Sequence, residues 1–231
     1  MNQDELKEAF DQQATGYEER QMKLAPVYEG IYFQLQWVFS GLPDNARILC
    51  VGSGVGTEIS YLAKRFPNWR FIAVEPSGGM LDICRKRAEQ EGFSSRCVFH
   101  EGYLDSLSGL EPCDGATCLM VSQFFLDKED RVSFFQSIAK SLKPGGILVS
   151  SDLSEMVGSN EYSTLINLWA KMLHGSNVSS DTVDKIHSAW LKDVAILPPE
   201  EIKHLIHRGG FELAVQTYQA CLVRAWVARR L

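Results

Sequence analysis

The chain has 231 residues, of which 45% are hydrophobic and 23% are charged, and its formal net charge is −6. This is the composition of an ordinary globular protein, and it excludes a disordered chain, a collagen-like repeat and a disulfide scaffold. No apolar run approaches the ~18 residues of a membrane span, and the negative charge disfavours a broad nucleic-acid-binding surface.

Cysteine usage indicates a reducing compartment. The six cysteines form no C-x-x-C pair, and no group of cysteine and histidine residues has zinc-site spacing. The first segment, MNQDELKEAFDQQ, lacks the basic and apolar regions of a secretory signal. We therefore expect buried, reduced thiols, no metal site and a cytoplasmic protein without membrane partners.

The predicted elements alternate between two hydrophobic periods. Residues 1–40 are predicted to form one or two helices. Continuous apolar runs then predict buried strands at 47–51, 70–75, 96–100, 114–121 and 147–152. Apolar residues at helical spacing predict helices over 59–66, 80–92 and 132–142. This alternation implies parallel strands joined by right-handed crossovers.

The pattern changes after the fifth predicted strand. Residues 158–193 are predicted to be helical without a strand, and a further helix begins at Pro198-Pro199. The apolar runs 211–218 and 221–229 are too close for a crossover helix, so they predict an antiparallel hairpin. The expected fold class is α/β: a Rossmann-like, seven-stranded mixed sheet, parallel with a C-terminal antiparallel hairpin, with helices on both faces. It occupies residues 41–231, with a helical insertion at about 153–197.

Two features at the ends of the first two predicted strands indicate a ligand. A glycine-rich loop, Gly52 to Gly56, follows the first strand, and Glu75 ends the second strand 19 residues after Gly56. Glycines let a ligand approach the main chain, and a carboxylate at that place accepts hydrogen bonds from a ribose diol. The spacing is GxGxG rather than the GxGxxG of nicotinamide-dependent oxidoreductases, and no Walker lysine follows. The sequence predicts an adenosine-containing ligand; glycines needed only for the turn are the alternative.

Four motifs in order resemble those of the class I S-adenosylmethionine-dependent methyltransferases. They are VGSGVGTE (51–58), AVEPSGGML (73–81), FHEGYLD (99–105) and LKPGGILVSSD (142–152). The resemblance covers roughly residues 8–231 and includes FDQQATGYEER (10–20). A finer, weaker similarity to carboxy-S-adenosylmethionine synthase and related small-molecule enzymes is carried by PVY (26–28), LMVSQFFLDKEDR (119–131) and GGF (209–211). The resemblance implies S-adenosylmethionine as cofactor and S-adenosylhomocysteine as product.

The resemblance also implies roles for individual residues. The loop residues Gly52, Ser53, Gly54 and Gly56 would line the methionine and ribose portions, and Glu75 would hold the ribose hydroxyls. Pro76 and Met80 would pack by the adenine, together with the third loop at Tyr103-Leu104. That loop usually reads Gly-Asp in the family, so the exocyclic amine is left to backbone groups or Asp105. The end of the fourth strand, Met120-Val121-Ser122-Gln123, would lie beneath the sulfonium, and Tyr17, Arg20 and Tyr28 would close over the amino acid end.

No catalytic triad is recognisable, and methyl transfer does not require one. The sulfonium already activates the methyl group, so the protein's main task is to position the acceptor and exclude water. A base is needed only if the acceptor must lose a proton, and the candidates are Asp152 and His174. A loop cap and a helix-terminal cation are their respective alternatives.

The acceptor is the least determined part of the prediction. We expect it between the insertion, the N-terminal segment and the ends of strands four and five, against Trp169, Met172, Trp190 and Phe125. The acidic charge favours a small molecule, and residues 1–40 would act as a lid over it. An RNA- or protein-directed methyltransferase and a cofactor-modifying enzyme like carboxy-S-adenosylmethionine synthase are the alternatives, although no Asn-Pro-Pro-Tyr motif follows strand four. A homodimer is left open.

Overall fold

One seven-stranded sheet organises the protein. The computed structural model describes residues 3–231, without the side chains of Gln3, Glu18, Arg20 and Gln21. The strands are β1 (Arg47–Val51), β2 (Arg70–Glu75), β3 (Cys97–Glu101), β4 (Cys113–Leu119), β5 (Leu142–Leu153), β6 (Val215–Ala220) and β7 (Val223–Arg229). Their order is β3-β2-β1-β4-β5-β7-β6, and β7 runs antiparallel to both of its neighbours while the other pairs are parallel. The predicted mixed sheet with a C-terminal hairpin is confirmed.

Residues 3–231 contain nine α-helices. They are α1 (Gln3–Ala14), α2 (Tyr17–Met22), α3 (Ala25–Val38), α4 (Thr57–Arg65), α5 (Gly78–Gln90), α6 (Lys128–Lys140), α7 (Asn160–His174), α8 (Ser180–Asp193) and α9 (Pro199–Arg208). Helices α3, α4 and α5 cover one face of the sheet, and α6 and α9 cover the other. Within this described range, none of the helices is long and apolar enough to cross a membrane.

The parallel strands are buried on both faces, which explains their continuous apolar runs. Along β1, Ile48 and Cys50 point into the core beneath α3, α4 and α5, whereas Leu49 and Val51 point into the core beneath α6 and α9. Alternate side chains of a strand lie on opposite faces. A strand covered on both faces therefore has no position where a polar residue would be solvated.

The N-terminal region differs from its prediction. It forms three helices rather than one or two, and α3 begins with Pro26 in its first turn. Proline lacks the N–H that would continue a preceding helix, so it favours a new helix start. Helix α3 also belongs to the core, because Ile31 and Leu35 are buried against the sheet and its neighbours. The predicted lid over residues 1–40 thus includes a helix of the core, and the lid itself stays a prediction.

The C-terminal half departs from its prediction in one detail. The first strand of the hairpin begins at Val215 rather than at residue 211. Phe211 and Ala214 are buried instead in the core beside α6 and α9, so the chain turns inward before it joins the sheet edge. The insertion forms α7 and α8, which pack against the start of α3 and against β7.

Candidate active site

A cavity of about 760 Å³ lies at the carboxyl ends of β1, β2 and β4. Open α/β sheets bind ligands at this edge, where connections leave a strand in opposite directions. Here β1 is flanked by β2 and β4, so the cavity lies at that reversal. Helix α1 contributes Leu6 and Phe10 to its wall, and Phe10 contacts Phe124 edge to face with ring centroids 5.5 Å apart.

The glycine loop after β1 forms one wall of the cavity. Gly54 has a φ of +51°, and the space where its Cβ would lie is open. A side chain would therefore be strained and would project beside the main chain, where glycine leaves room for a ligand. Ser53 is buried in the same wall, and its Oγ has no hydrogen-bond partner among the described residues. Buried hydroxyls are normally bonded, so this orphan oxygen indicates a ligand.

Glu75 occupies the middle of the cavity at the end of β2. Its Oε2 accepts a hydrogen bond from the Gly54 N–H at 2.8 Å, and its Oε1 accepts one from the Ser77 N–H at 2.9 Å. Burial raises the pKa of the carboxyl, and the two backbone donors partly oppose that change. Each oxygen accepts one bond from the protein and retains acceptor capacity, as recognition of a diol requires.

The predicted adenine-side residues lie along the cavity beyond Glu75. Pro76, Met80, Tyr103, Leu104 and Val121 line it, and so does Asp105. Met80 is also packed with Val55 and Ala14, so it joins the cavity to the contact between α1 and α5. The structure thus brings these predicted residues together; their roles toward adenine stay predictions.

Three phenols and a carboxylate also line the cavity. Tyr17, Tyr28 and Tyr32 reach it from α2 and α3, and Glu58 reaches it from the first turn of α4. Glu58 is 7% exposed, and burial raises its pKa to about 8, with a further upward contribution from Glu75. An acid in a helix's first turn is ordinarily stabilised in its charged form, so burial outweighs the helix dipole here. Arg20 was also predicted to contribute to this site, but its side chain lies outside the described residues.

Sequence reasoning missed Glu58 and Tyr32. Glu58 follows the glycine motif directly, but an acidic residue in a first turn is so common that it carried no separate indication. Tyr32 lies four residues after Tyr28, a spacing that places both rings on one face of α3. That spacing was a usable indication, since both tyrosines line the cavity.

The end of β4 forms the remaining wall. Met120 has a φ of +61° and its N–H donates to the Ser151 carbonyl at 2.7 Å, which holds this unusual conformation. Met120 and Val121 line the cavity as predicted, whereas Ser122 and Gln123 are buried behind it. The Ser122 hydroxyl and the Gln123 N–H instead donate hydrogen bonds to Asp152.

The two predicted bases are not placed for catalysis. Asp152 is fully buried in an ion pair with Arg131, with 3.0 Å between Oδ2 and Nη2. His174 is an exposed residue at the end of α7. Neither is among the residues that line the cavity. Asp152 therefore supports the loop after β4, and neither residue is retained as a base.

The predicted acceptor wall also needs correction. Of the four residues named for it, Phe125 lines the cavity, whereas Trp169, Met172 and Trp190 do not. Trp169 packs edge to face against Trp190 at 5.6 Å, joining α7 to α8. Both tryptophans belong to the core between the insertion and α3, so their apolar spacing marked a packing face rather than a pocket.

The structure is a Rossmann-like domain with a ligand-sized cavity at the carboxyl ends of its central strands. Residues 48–146 match the family model described as a methyltransferase domain. The erythromycin 3''-O-methyltransferase of Saccharopolyspora erythraea is 30% identical over 115 residues, which are 49% of this chain and 37% of that protein. The arsenite methyltransferase of Aquipseudomonas alcaligenes is 28% identical over 134 residues, covering 55% and 38% of the two chains. The chain thus spans less than two fifths of these curated relatives.

A solved structure gives the same fold. The crystal structure of an O-methyltransferase-like protein from Nostoc punctiforme superposes with a TM-score of 0.69 at 13% identity, covering 96% of this chain and 60% of that one. Over residues 48–146 the chain is therefore similar to methyltransferases in sequence, and its fold is that of the O-methyltransferase-like structure. The residues of the cavity fit S-adenosylmethionine, because Glu75 retains acceptors for a ribose diol and the buried Ser53 hydroxyl in the cavity wall has no hydrogen-bond partner among the described residues. Among the described residues, no cluster of three or more acidic, cysteine or histidine side chains could hold a metal ion. The finer similarity to carboxy-S-adenosylmethionine synthase stays a prediction.

Proposed function

We propose that the protein transfers the methyl group of S-adenosylmethionine to a small-molecule acceptor. The observation that carries this proposal is the continuity of the cavity. One cavity is lined both by Gly54 and Glu75 and by the apolar side chains of Phe10, Met120 and Phe124. Because α1 contributes Phe10, which contacts Phe124, we expect an acceptor small enough to bind beside that helix.

The nature of the walls supports catalysis by positioning. The cofactor, when bound, supplies a methyl group already activated by a positive sulfonium. Apolar side chains exclude water from such a centre, and a fixed orientation of acceptor and methyl group removes much of the entropic barrier. Burial raises the pKa of the Tyr28 and Tyr32 phenols. At neutral pH these phenols are hydrogen-bond donors and acceptors rather than bases.

The small-molecule class is favoured by three independent features. Two curated relatives have names that specify small acceptors, erythromycin and arsenite. The net charge of −6 opposes binding to a polyanion such as RNA. Leu6 and Phe10 of α1 form part of the cavity wall, which suits a compact acceptor. We therefore rank RNA- and protein-directed transfer below a metabolite acceptor.

Product analysis tests the proposal. The purified protein is incubated with S-adenosylmethionine and a pool of small metabolites, and both S-adenosylhomocysteine and singly methylated products are measured by mass spectrometry. We expect both to form together, and to be lost in Glu75→Gln. Turnover that requires added RNA or protein would contradict the acceptor class. Formation of a modified sulfonium nucleoside in place of S-adenosylhomocysteine would favour the carboxy-S-adenosylmethionine synthase alternative.

We also propose that α1 and α2 are a lid and that the protein is cytoplasmic. Asp11 of α1 accepts hydrogen bonds from the Ser77 hydroxyl at 2.6 Å and the Gly79 N–H at 3.2 Å. The backbone N–H of Ser77 also donates to Glu75, so α1 is hydrogen-bonded to a residue two positions after Glu75. The six free cysteines support a reducing compartment. A homodimer stays a prediction, which sedimentation analysis can test.

A further inference from the structure

Glu58 is a buried carboxylate that the packing of the protein does not account for. Its side chain is 7% exposed and lines the cavity. Among the ion pairs of the described residues, none involves Glu58. Its own backbone N–H is the hydrogen-bond donor that acts on it. Buried carboxylates are normally paired, because an uncompensated buried charge is costly. A carboxylate of this kind in a cavity wall indicates a cationic ligand group.

The position of Glu58 identifies which end of the cofactor it faces. In an adenosyl ligand the ribose lies between the base and the methionine, and Glu75 marks the ribose. Tyr103, on the adenine side, has Glu75 and Asp105 among its electrostatic neighbours. Tyr32, on the other side, has Glu58 and Tyr28. Glu58 therefore lies on the methionine side of Glu75, and the methionine end carries an α-ammonium group.

We infer that Glu58 recognises the α-ammonium group of the bound methionine moiety and releases a proton to solvent when that group binds. This inference rests on the S-adenosylmethionine binding in the proposed function. Arg87 acts on Glu58 without forming an ion pair with it, and the ammonium supplies a cation in direct contact with the carboxylate. The step is a simple ionisation: the carboxyl O–H bond breaks, the proton leaves to the buffer, and the carboxylate accepts an N–H bond from the ammonium.

The groups around Glu58 set the direction of this proton exchange. Burial raises the pKa of Glu58 to about 8 in the ligand-free protein, so at pH 6.5 the carboxyl is mostly neutral. An ammonium group with a pKa near that of a chain terminus, about 8, is already charged at that pH. Binding then places a cation beside the carboxyl and lowers its pKa. The groups that also act on it or face it are Glu75 of β2, Cys50 of β1, Tyr32 and Tyr28 of α3, Tyr17 of α2, and Arg87 and Cys84 of α5.

Three related ligands test the assignment by calorimetry. S-adenosylmethionine has both the sulfonium and the ammonium, S-adenosylhomocysteine has only the ammonium, and 5′-methylthioadenosine has neither. Glu58→Gln should weaken the first two by about 10- to 100-fold, because one charge-assisted hydrogen bond is lost. It should leave 5′-methylthioadenosine within about twofold of wild type. Glu75→Gln is the matched control and should weaken all three, since they share the ribose.

Proton release is the second measurement. At pH 6.5, the binding enthalpy of S-adenosylhomocysteine in buffers of different ionisation enthalpy should show close to one proton released by the wild-type protein. Glu58→Gln should release none. Equal weakening of all three ligands by Glu58→Gln would assign Glu58 a structural role and overturn the inference, as would weakening of S-adenosylmethionine alone, which would place Glu58 by the sulfonium. Unchanged affinities with lost methyl transfer would also overturn it. If the wild-type protein binds none of the three ligands, the proposed function fails with it.

Discussion

Two regions of the molecule bury carboxylates, and they do so in opposite ways. Where β4 and β5 end, Asp152 is enclosed by an Arg131 guanidinium, the Ser122 hydroxyl and the Gln123 N–H, all within 3.0 Å. Where β1 and β2 end, Glu58 faces a cavity without a cationic partner that forms an ion pair among the described residues. Both side chains are more than nine-tenths buried.

The difference separates structural acids from candidate binding acids. A buried charge that already forms an ion pair and hydrogen bonds within the fold has few remaining groups with which to bind a ligand. A buried carboxyl group without a counter-charge tends to stay protonated. A ligand with a positively charged group stabilises its ionised form. By this criterion Asp152 fixes the loop after β4, and Glu58 is the candidate binding acid.

The largest loss of stability is expected from removing one partner of the Arg131–Asp152 ion pair. Arg131→Met leaves Asp152 buried without its counter-charge and should lower the free energy of unfolding by about 3–5 kcal/mol. Urea denaturation of the wild-type and variant proteins measures this loss. The matched control is the double variant Arg131→Met, Asp152→Leu, which removes both charges and should recover most of the stability. A single variant as stable as wild type would show that the pair has no structural weight.

Glu58 should contribute to the free energy of unfolding with a pH dependence opposite to that of a carboxylate in an ion pair. The pKa of Glu58 is about 8 in the folded, ligand-free protein, above its ordinary value of 4.5. Between those two values the folded state binds more protons than the unfolded state. The contribution of Glu58 to the free energy of unfolding is therefore full below pH 4.5 and falls as the pH rises to about 8.

Glu58→Gln should remove this slope. Relative to wild type, the variant should gain stability between pH 5 and pH 8, on the order of 3 kcal/mol. Urea denaturation at several pH values measures the gain, with Glu101→Gln, an exposed glutamate, as control. If the two variants follow parallel curves, the carboxyl of Glu58 is not protonated in the folded state.

A smaller change in free energy is expected from Glu75, the carboxylate that we propose binds the ribose. Glu75→Gln should weaken S-adenosylmethionine binding by about 1–3 kcal/mol, because it replaces a charged acceptor with a neutral amide. Calorimetry with an analogue lacking the ribose hydroxyls supplies the control, since that analogue should bind both proteins equally. An equal loss for both ligands would mean that Glu75 acts through the glycine loop, which it holds through the Gly54 N–H, rather than on the ribose.

Sequence alone was sufficient where a residue's environment is set by the sheet. The strand β1 is buried on both faces, and its apolar run predicts that burial directly. Glu75 was found because its place at the end of a strand has a known geometric consequence in open α/β sheets. Both predictions depend on local pattern and on a topology that such patterns determine.

Sequence alone was insufficient where the meaning of a side chain depends on what packs against it. Trp169 of α7 and Trp190 of α8 each indicate that their helix has a buried apolar face. They do not indicate whether that face meets a ligand or another helix. Asp152 and Glu58 are equally acidic in the sequence, and only the position of Arg131 distinguishes them. The core position of α3 was not predicted for the same reason, because its burial follows from its contact with the sheet.

The smallest effect is expected at the anchor of the lid. Asp11→Ala removes the bonds from the Ser77 hydroxyl and the Gly79 N–H, and should release α1 from α5 at a cost of about 1 kcal/mol. Limited proteolysis should then cut the variant faster than wild type before residue 25, and S-adenosylhomocysteine should protect the wild-type chain. Lys7→Ala is the matched control, because it removes only the partly exposed ion pair with Asp11. Equal cutting of all three proteins, with and without ligand, would show that α1 does not move during cofactor exchange.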